Sequence, residues 1–105
     1  MGNMKCGRIL VDGHIIPVAF SLNTPKIYKK AFKSDFWSDL AFESNRTEET
    51  YNISETNRRA LQVVWSYAKT ADSKIQRLDR WAKQFNNVTG VFMVKQLENF
   101  LMNEG

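Results

Sequence analysis

The chain carries a single cysteine, Cys6, and a single histidine, His14, in 105 residues. One cysteine cannot close an intramolecular disulfide, so no oxidising compartment is implied. Zinc sites need several His, Cys or carboxylate ligands at matched spacing, and this inventory excludes the usual patterns. A catalytic cysteine or serine needs a histidine partner, and His14 falls in an expected turn. The five glycines are scattered, with no GxGxxG or GxxxxGK phosphate loop. No Asp-x-Asp-x-Asp loop is present to hold calcium. Asp35 and Asp39 lie one helical turn apart, where the positive end of a helix favours carboxylates, and this reading outweighs a catalytic pair. No catalytic, cofactor or metal site is therefore expected, and the chain reads as a non-enzyme. It also lacks a signal-peptide h-region and any transmembrane run, so membrane contact is not expected and the cytosol is. The sequons at Asn45, Asn52 and Asn87 then read as chance matches.

What is present is the material of a core. Hydrophobic residues make up 43% and charged residues 25%, with three Trp, three Tyr and seven Phe. These proportions predict a folded single domain over 1–105. The net charge is +4, but lysines and arginines are interleaved with acids along the chain. Lys29, Lys30 and Lys33 form the densest basic patch, and Asp35 and Asp39 follow directly. A nucleic-acid footprint needs charge gathered on one face, so these residues read as solvated helix faces.

The pattern predicts an α+β fold, mostly α, with an N-terminal hairpin at about 5–21 and four to five short helices. Asp12-Gly13 separates two apolar runs and supplies both positive-φ positions of a type I′ turn. Pro17 cannot donate to a ladder, so the second strand is expected to be an edge or bulged there. A lone hairpin is marginal in water and must pack on helices or pair with another chain. Thr24-Pro25 predicts a helix start with Thr24 as cap, over about 25–32. A break at Lys33-Ser34-Asp35, with Ser34 capping, leads to a helix at about 35–44. Residues 45–54 are polar and read as a mobile loop. A helix over about 55–71 has apolar positions spanning roughly 200°, wider than a surface stripe, and should lie at the centre. Two more helices follow at about 79–86 and 91–102, with Thr89 able to cap the last. The last one carries Met93, Val94, Leu97, Phe100 and Leu101 on one stripe. That stripe is either docked or offered to a partner.

Tyr28, Phe32, Phe36 and Trp37 crowd two short helices. Core packing is the plain reading, and a partner-binding patch is the functional one. Phe42 falls off the apolar face of its helix and reads as an exposed aromatic. Together with Leu97, Phe100 and Leu101 on the last helix, these are the candidate partner-binding residues. With the neighbouring lysines, the same aromatics could stack single-stranded nucleic acid.

Two stretches resemble a known family. The first is FSLNTPKIYKKAFKSDFWSDL over 20–40. It resembles the opening of tail assembly chaperones from siphophages and prophages of Gram-positive hosts. Thr24, Pro25, Tyr28, Lys29, Phe32, Asp35, Asp39 and Leu40 match, and Lys33 stands where the family has Gly. The second runs from Ala60 to Phe85. Tyr67-Ala68-Lys69-Thr70-Ala71-Asp72 and Trp81-Ala82-Lys83-Gln84-Phe85 correspond, with Ala82 in place of the family's Leu. The resemblance covers about 17–102, in order and with similar spacing. It implies a phage morphogenesis protein that binds the tape measure protein, keeps it soluble and helps recruit major tail protein. It implies action in the host cytoplasm, absence from the mature virion and, in some cases, self-association. A small phage nucleic-acid-binding regulator and another morphogenesis component, such as a connector subunit, remain as alternatives.

Overall fold

A computed structural model describes residues 4–45, 53–86 and 90–102. It has the expected architecture: an antiparallel hairpin of β1 (Lys5–Val11) and β2 (His14–Phe20), then five helices. These are α1 (Asn23–Phe32), α2 (Phe36–Ser44), α3 (Ile53–Ala71), α4 (Leu78–Trp81) and α5 (Gly90–Met102).

The hairpin turns where its sequence requires. Asp12 and Gly13 have φ of 51° and 78°, the two positive values of a type I′ turn. The turn pairs Val11 with His14 and, three steps on, Arg8 with Pro17. In a two-residue hairpin these alternate between hydrogen-bonded and open pairs, which puts Pro17 in an open pair. Its missing N–H would point to the outer edge, so the strand needs no bulge. Ile9, Val11, Ile16 and Val18 face inward and are buried, while Leu10 and its partner Ile15 face out and are exposed.

Thr24 is not the cap of α1. The helix begins at Asn23, two residues earlier than expected, and Leu22 at its cap position makes no side-chain cap bond. Ser21 serves instead: its hydroxyl accepts from the Asn23 N–H and its carbonyl from the Thr24 N–H, both at 3.1 Å. The Thr24 hydroxyl is buried. It accepts from the Ser21 N–H at 3.1 Å and meets the Thr70 hydroxyl at 2.8 Å. Thr70 spends its proton on the Ser66 carbonyl, so Thr24 is the donor to Thr70. A polar thread thus staples α1 to α3.

The break after α1 falls as expected. Lys33 takes the left-handed conformation, φ 58° and ψ 34°, and its N–H bonds the Lys29 carbonyl at 2.8 Å. The cap of α2 is Asp35, not Ser34. Asp35 has the extended backbone a cap needs, and its carboxylate accepts from the Ser38 N–H at 2.8 Å. That backbone donor is the main reason its carboxyl is held below the usual range. Ser34 donates instead to Asp39 at 2.8 Å.

The wide apolar arc of α3 puts it at the centre. Every residue from Val63 to Ala68 is buried, and the helix touches β2 and all four other helices. Its first turn takes up residues 53 and 54 of the expected loop; residues 46–52 lie outside the described residues, as does Thr89. The fourth helix is shorter than its pattern suggests. It is one α-turn, continued as a 3-10 turn over Ala82–Gln84 and ended by the extended backbone of Phe85. One buried cluster draws on both strands and all five helices.

The C-terminal stripe is docked. Met93, Val94 and Leu97 are buried, and α5 runs along the outer edge of β1. Leu10 lies in an open pair, so its N–H and C=O point to that edge. The Gln96 amide takes both, at 2.8 and 2.7 Å. Lys5 donates to the Leu101 carbonyl at 3.1 Å, and the Phe100 ring lies over Gly7, where a Cβ would sit 2.6 Å from it.

Candidate docking surfaces

The expected aromatic cluster exists, and most of it is core. Tyr28 meets Phe32 and Phe36 with ring centroids 5.0 and 5.6 Å apart. Phe36 continues to Trp37 at 5.0 Å and Tyr67 at 5.9 Å, and Phe32 to Trp65 at 5.3 Å. Tyr28, Phe36 and Leu97 are fully buried, which removes them from the accessible partner surface. Phe32, Phe100 and Leu101 are half-buried. Only Trp37, at 52% exposure, and Phe42, at 56%, are open to solvent among the candidates. The Arg59 guanidinium lies 4.9 Å from the Phe42 ring centroid and 3.9 Å from the buried Glu43 carboxylate, which joins α3 to α2.

The polar groups of this region serve the joint between helices. Tyr28 donates to Asp39 at 2.5 Å, on the same oxygen that accepts from Ser34, and lies 3.2 Å from the Gln62 amide oxygen. Burial, with Asp39 adding to it, pushes the Tyr28 phenol far above its ordinary pKa. Asp39 therefore acts as a two-donor acceptor between α1 and α2. Its position in the first turn of α2 suits a carboxylate. No group of three or more metal-ligating side chains occurs among the described residues. Cys6 is exposed and free. No helix among them is long and apolar enough to cross a membrane.

One feature escaped the sequence reading. A groove of about 680 Å³ opens between α1, α3 and α4. Its floor is Ala31 and Phe32 from α1, Leu61 and Trp65 from α3, Leu78 from α4 and Ala82 from the 3-10 turn that follows it. Arg58, Arg77 and Asp79 stand among the lining residues. The Trp65 indole N–H is satisfied by the Gln76 carbonyl at 2.8 Å, so the floor keeps no unmet donor there. Leu61 and Trp65 are four residues apart at the border of the apolar arc of α3. That width was the available signal, since a helix apolar beyond what its neighbours cover must leave some of it open.

Compared with known proteins, the chain matches no family model, no curated protein and no solved structure.

Proposed function

We propose that this protein is a tail assembly chaperone of a long-tailed phage or prophage, a non-enzymatic binder of helical client segments. The client is the tape measure protein, held soluble in the host cytoplasm until major tail protein assembles around it, and the chaperone leaves before the virion is complete. The observation that carries the reading is the origin of the groove. Its apolar floor is built from both stretches that resemble the family, Ala31 and Phe32 from the first, and Leu61, Trp65, Leu78 and Ala82 from the second.

A second observation supports it. Lys33 stands where the family has Gly and takes a φ of 58°, the conformation that glycine serves best. The mechanism is physical. A long amphipathic client exposes apolar stripes that aggregate when bare. A small domain with an open apolar groove covers one stripe in the helix-in-groove mode. Weak binding at each site permits release when the tube forms.

Co-expression with the tape measure protein of the same genome tests this. The expected result is more soluble client and a co-purifying complex, lost when Leu61 is changed to Asp. A client that stays insoluble with no complex formed refutes it.

A further inference from the structure

From the chemistry of the groove rim we infer that the preferred occupant is a helix with an aliphatic stripe flanked by carboxylates. The inference rests on reading this groove as the docking site. The floor is apolar, and Trp65 has its indole N–H already bonded, so the floor selects aliphatic side chains and asks for no polar group. Selection by charge is left to the rim. Two guanidiniums, Arg58 and Arg77, line the groove together with one carboxylate, Asp79. Arg77 and Asp79 sit 3.7 Å apart with side chains 81% and 71% exposed. Such a pair is weakly coupled, so Arg77 can turn to an incoming carboxylate at small cost. Guanidinium forks hold carboxylates in bidentate fashion and stay charged at any working pH.

The alternatives fit less well. Single-stranded nucleic acid needs open aromatic faces to stack on, and Trp65 is only 6% exposed, with Phe32 half-buried against it. A second copy of this chain would have to offer an acid-flanked apolar helix. On α2, which exposes Trp37 and Phe42, Glu43 is buried and Asp39 is held by Tyr28 and Ser34. On α5 the stripe is docked.

The test uses the full chain, 15N-labelled, and two synthetic 18-residue helical peptides. Both carry leucines at helical spacing; one has glutamates on the flanks and the other lysines. The expected result is backbone amide shifts at Phe32, Leu61, Trp65 and Ala82 with the glutamate peptide. It should bind about tenfold more tightly than the lysine peptide at low salt, an effect of about 1.4 kcal/mol. The R58E/R77E double variant should reverse the preference. Ala31→Leu, which narrows the groove from α1 without changing charge, should weaken both peptides. Equal affinity for the two peptides overturns the charge selection while leaving groove docking intact. Absence of binding, or shifts confined elsewhere, overturns both. Groove shifts produced by an oligonucleotide, or by self-association without peptide, overturn the assigned occupant.

Discussion

Replacing Gly7 by alanine tests how firmly α5 is docked. Gly7 is not among the residues with positive φ, so its backbone accepts any side chain and glycine is needed there only for space. A Cβ would lie 2.6 and 2.7 Å from two carbons of the Phe100 ring. To restore an ordinary 3.4 Å contact the ring must retreat by about 0.8 Å. It is not free to do so, because it packs on Tyr67 at 6.1 Å and under the Lys5 ammonium at 5.7 Å. Overpacking of this kind costs about 1–3 kcal/mol. Removing a glycine from a strand returns about 0.5–1 kcal/mol. The expected net loss is therefore about 1–2 kcal/mol. Phe100→Ala alone loses about 2 kcal/mol, below the range for a fully buried ring because Phe100 is half-buried. In the Phe100→Ala background the clash is gone, and Gly7→Ala should become neutral or slightly stabilising. The coupling in the double-mutant cycle is then about 2 kcal/mol. Urea unfolding followed by tryptophan fluorescence measures all four proteins, provided the slopes agree. Additivity within about 0.5 kcal/mol would refute the docked position of α5.

Three further outcomes follow from particular residues. Lys33→Gly should stabilise the chain by about 0.5–1 kcal/mol in thermal or urea unfolding, since a left-handed L-residue costs about 1–2 kcal/mol and glycine's greater unfolded freedom offsets only part. Tyr67→Phe should stabilise by about 1 kcal/mol, because the Tyr67 hydroxyl is buried and has no partner among the described residues. The phenols of Tyr28 and Tyr67 are both raised, chiefly by burial. The unfolded chain then releases their protons first, and stability is full below pH about 10 and falls above it, by about 1.4 kcal/mol per pH unit for each phenol. Urea midpoints between pH 9 and 11 check this, and Tyr67→Phe should remove half of the tyrosine slope; an unchanged slope would count against the burial of that hydroxyl.

The parts of the fold that were legible are those set by neighbours in sequence. Asp12-Gly13 specifies its turn through two φ values, and α3 declares its central place through an apolar arc that no surface helix needs. Cap assignment failed at both helix starts. Ser34 and Asp35 are both competent acceptors, and the choice is made by which residue holds the non-helical backbone. Asp35 does, at φ −80° and ψ 120°. Thr24 was diverted by Thr70, 46 residues away. The last helix posed the same problem on a larger scale. Its stripe is visible in the sequence, but its acceptor is the edge of β1, and the Gln96–Leu10 contact spans 86 residues. The groove was the least legible feature, because it is the gap left between three segments, and a gap has no residues of its own.

The docking of α5 sharpens the functional reading by subtraction. The sequence offered two apolar surfaces for a client, the aromatic cluster of α1 and α2 and the C-terminal stripe. The fold spends most of the first and nearly all of the second on its own core. The described apolar surface left over is the groove, the exposed Trp37 and Phe42, the outward Leu10–Ile15 pair of the hairpin, and the separate side chains of Met4, Leu22 and Met102. A specific, stable interface engages roughly 20–30 residues on each partner, and the groove is lined by nine described residues. One copy on one client stripe is thus a weak complex. That suits a chaperone which must release its client, and it makes the number of copies decisive. On the proposed function, a client with several stripes would recruit several copies, and retention would come from their sum. Solubilisation should therefore depend steeply on the ratio of chaperone to client and should fail at equimolar amounts. A chaperone that protects its client one-to-one must use an interface larger than this groove.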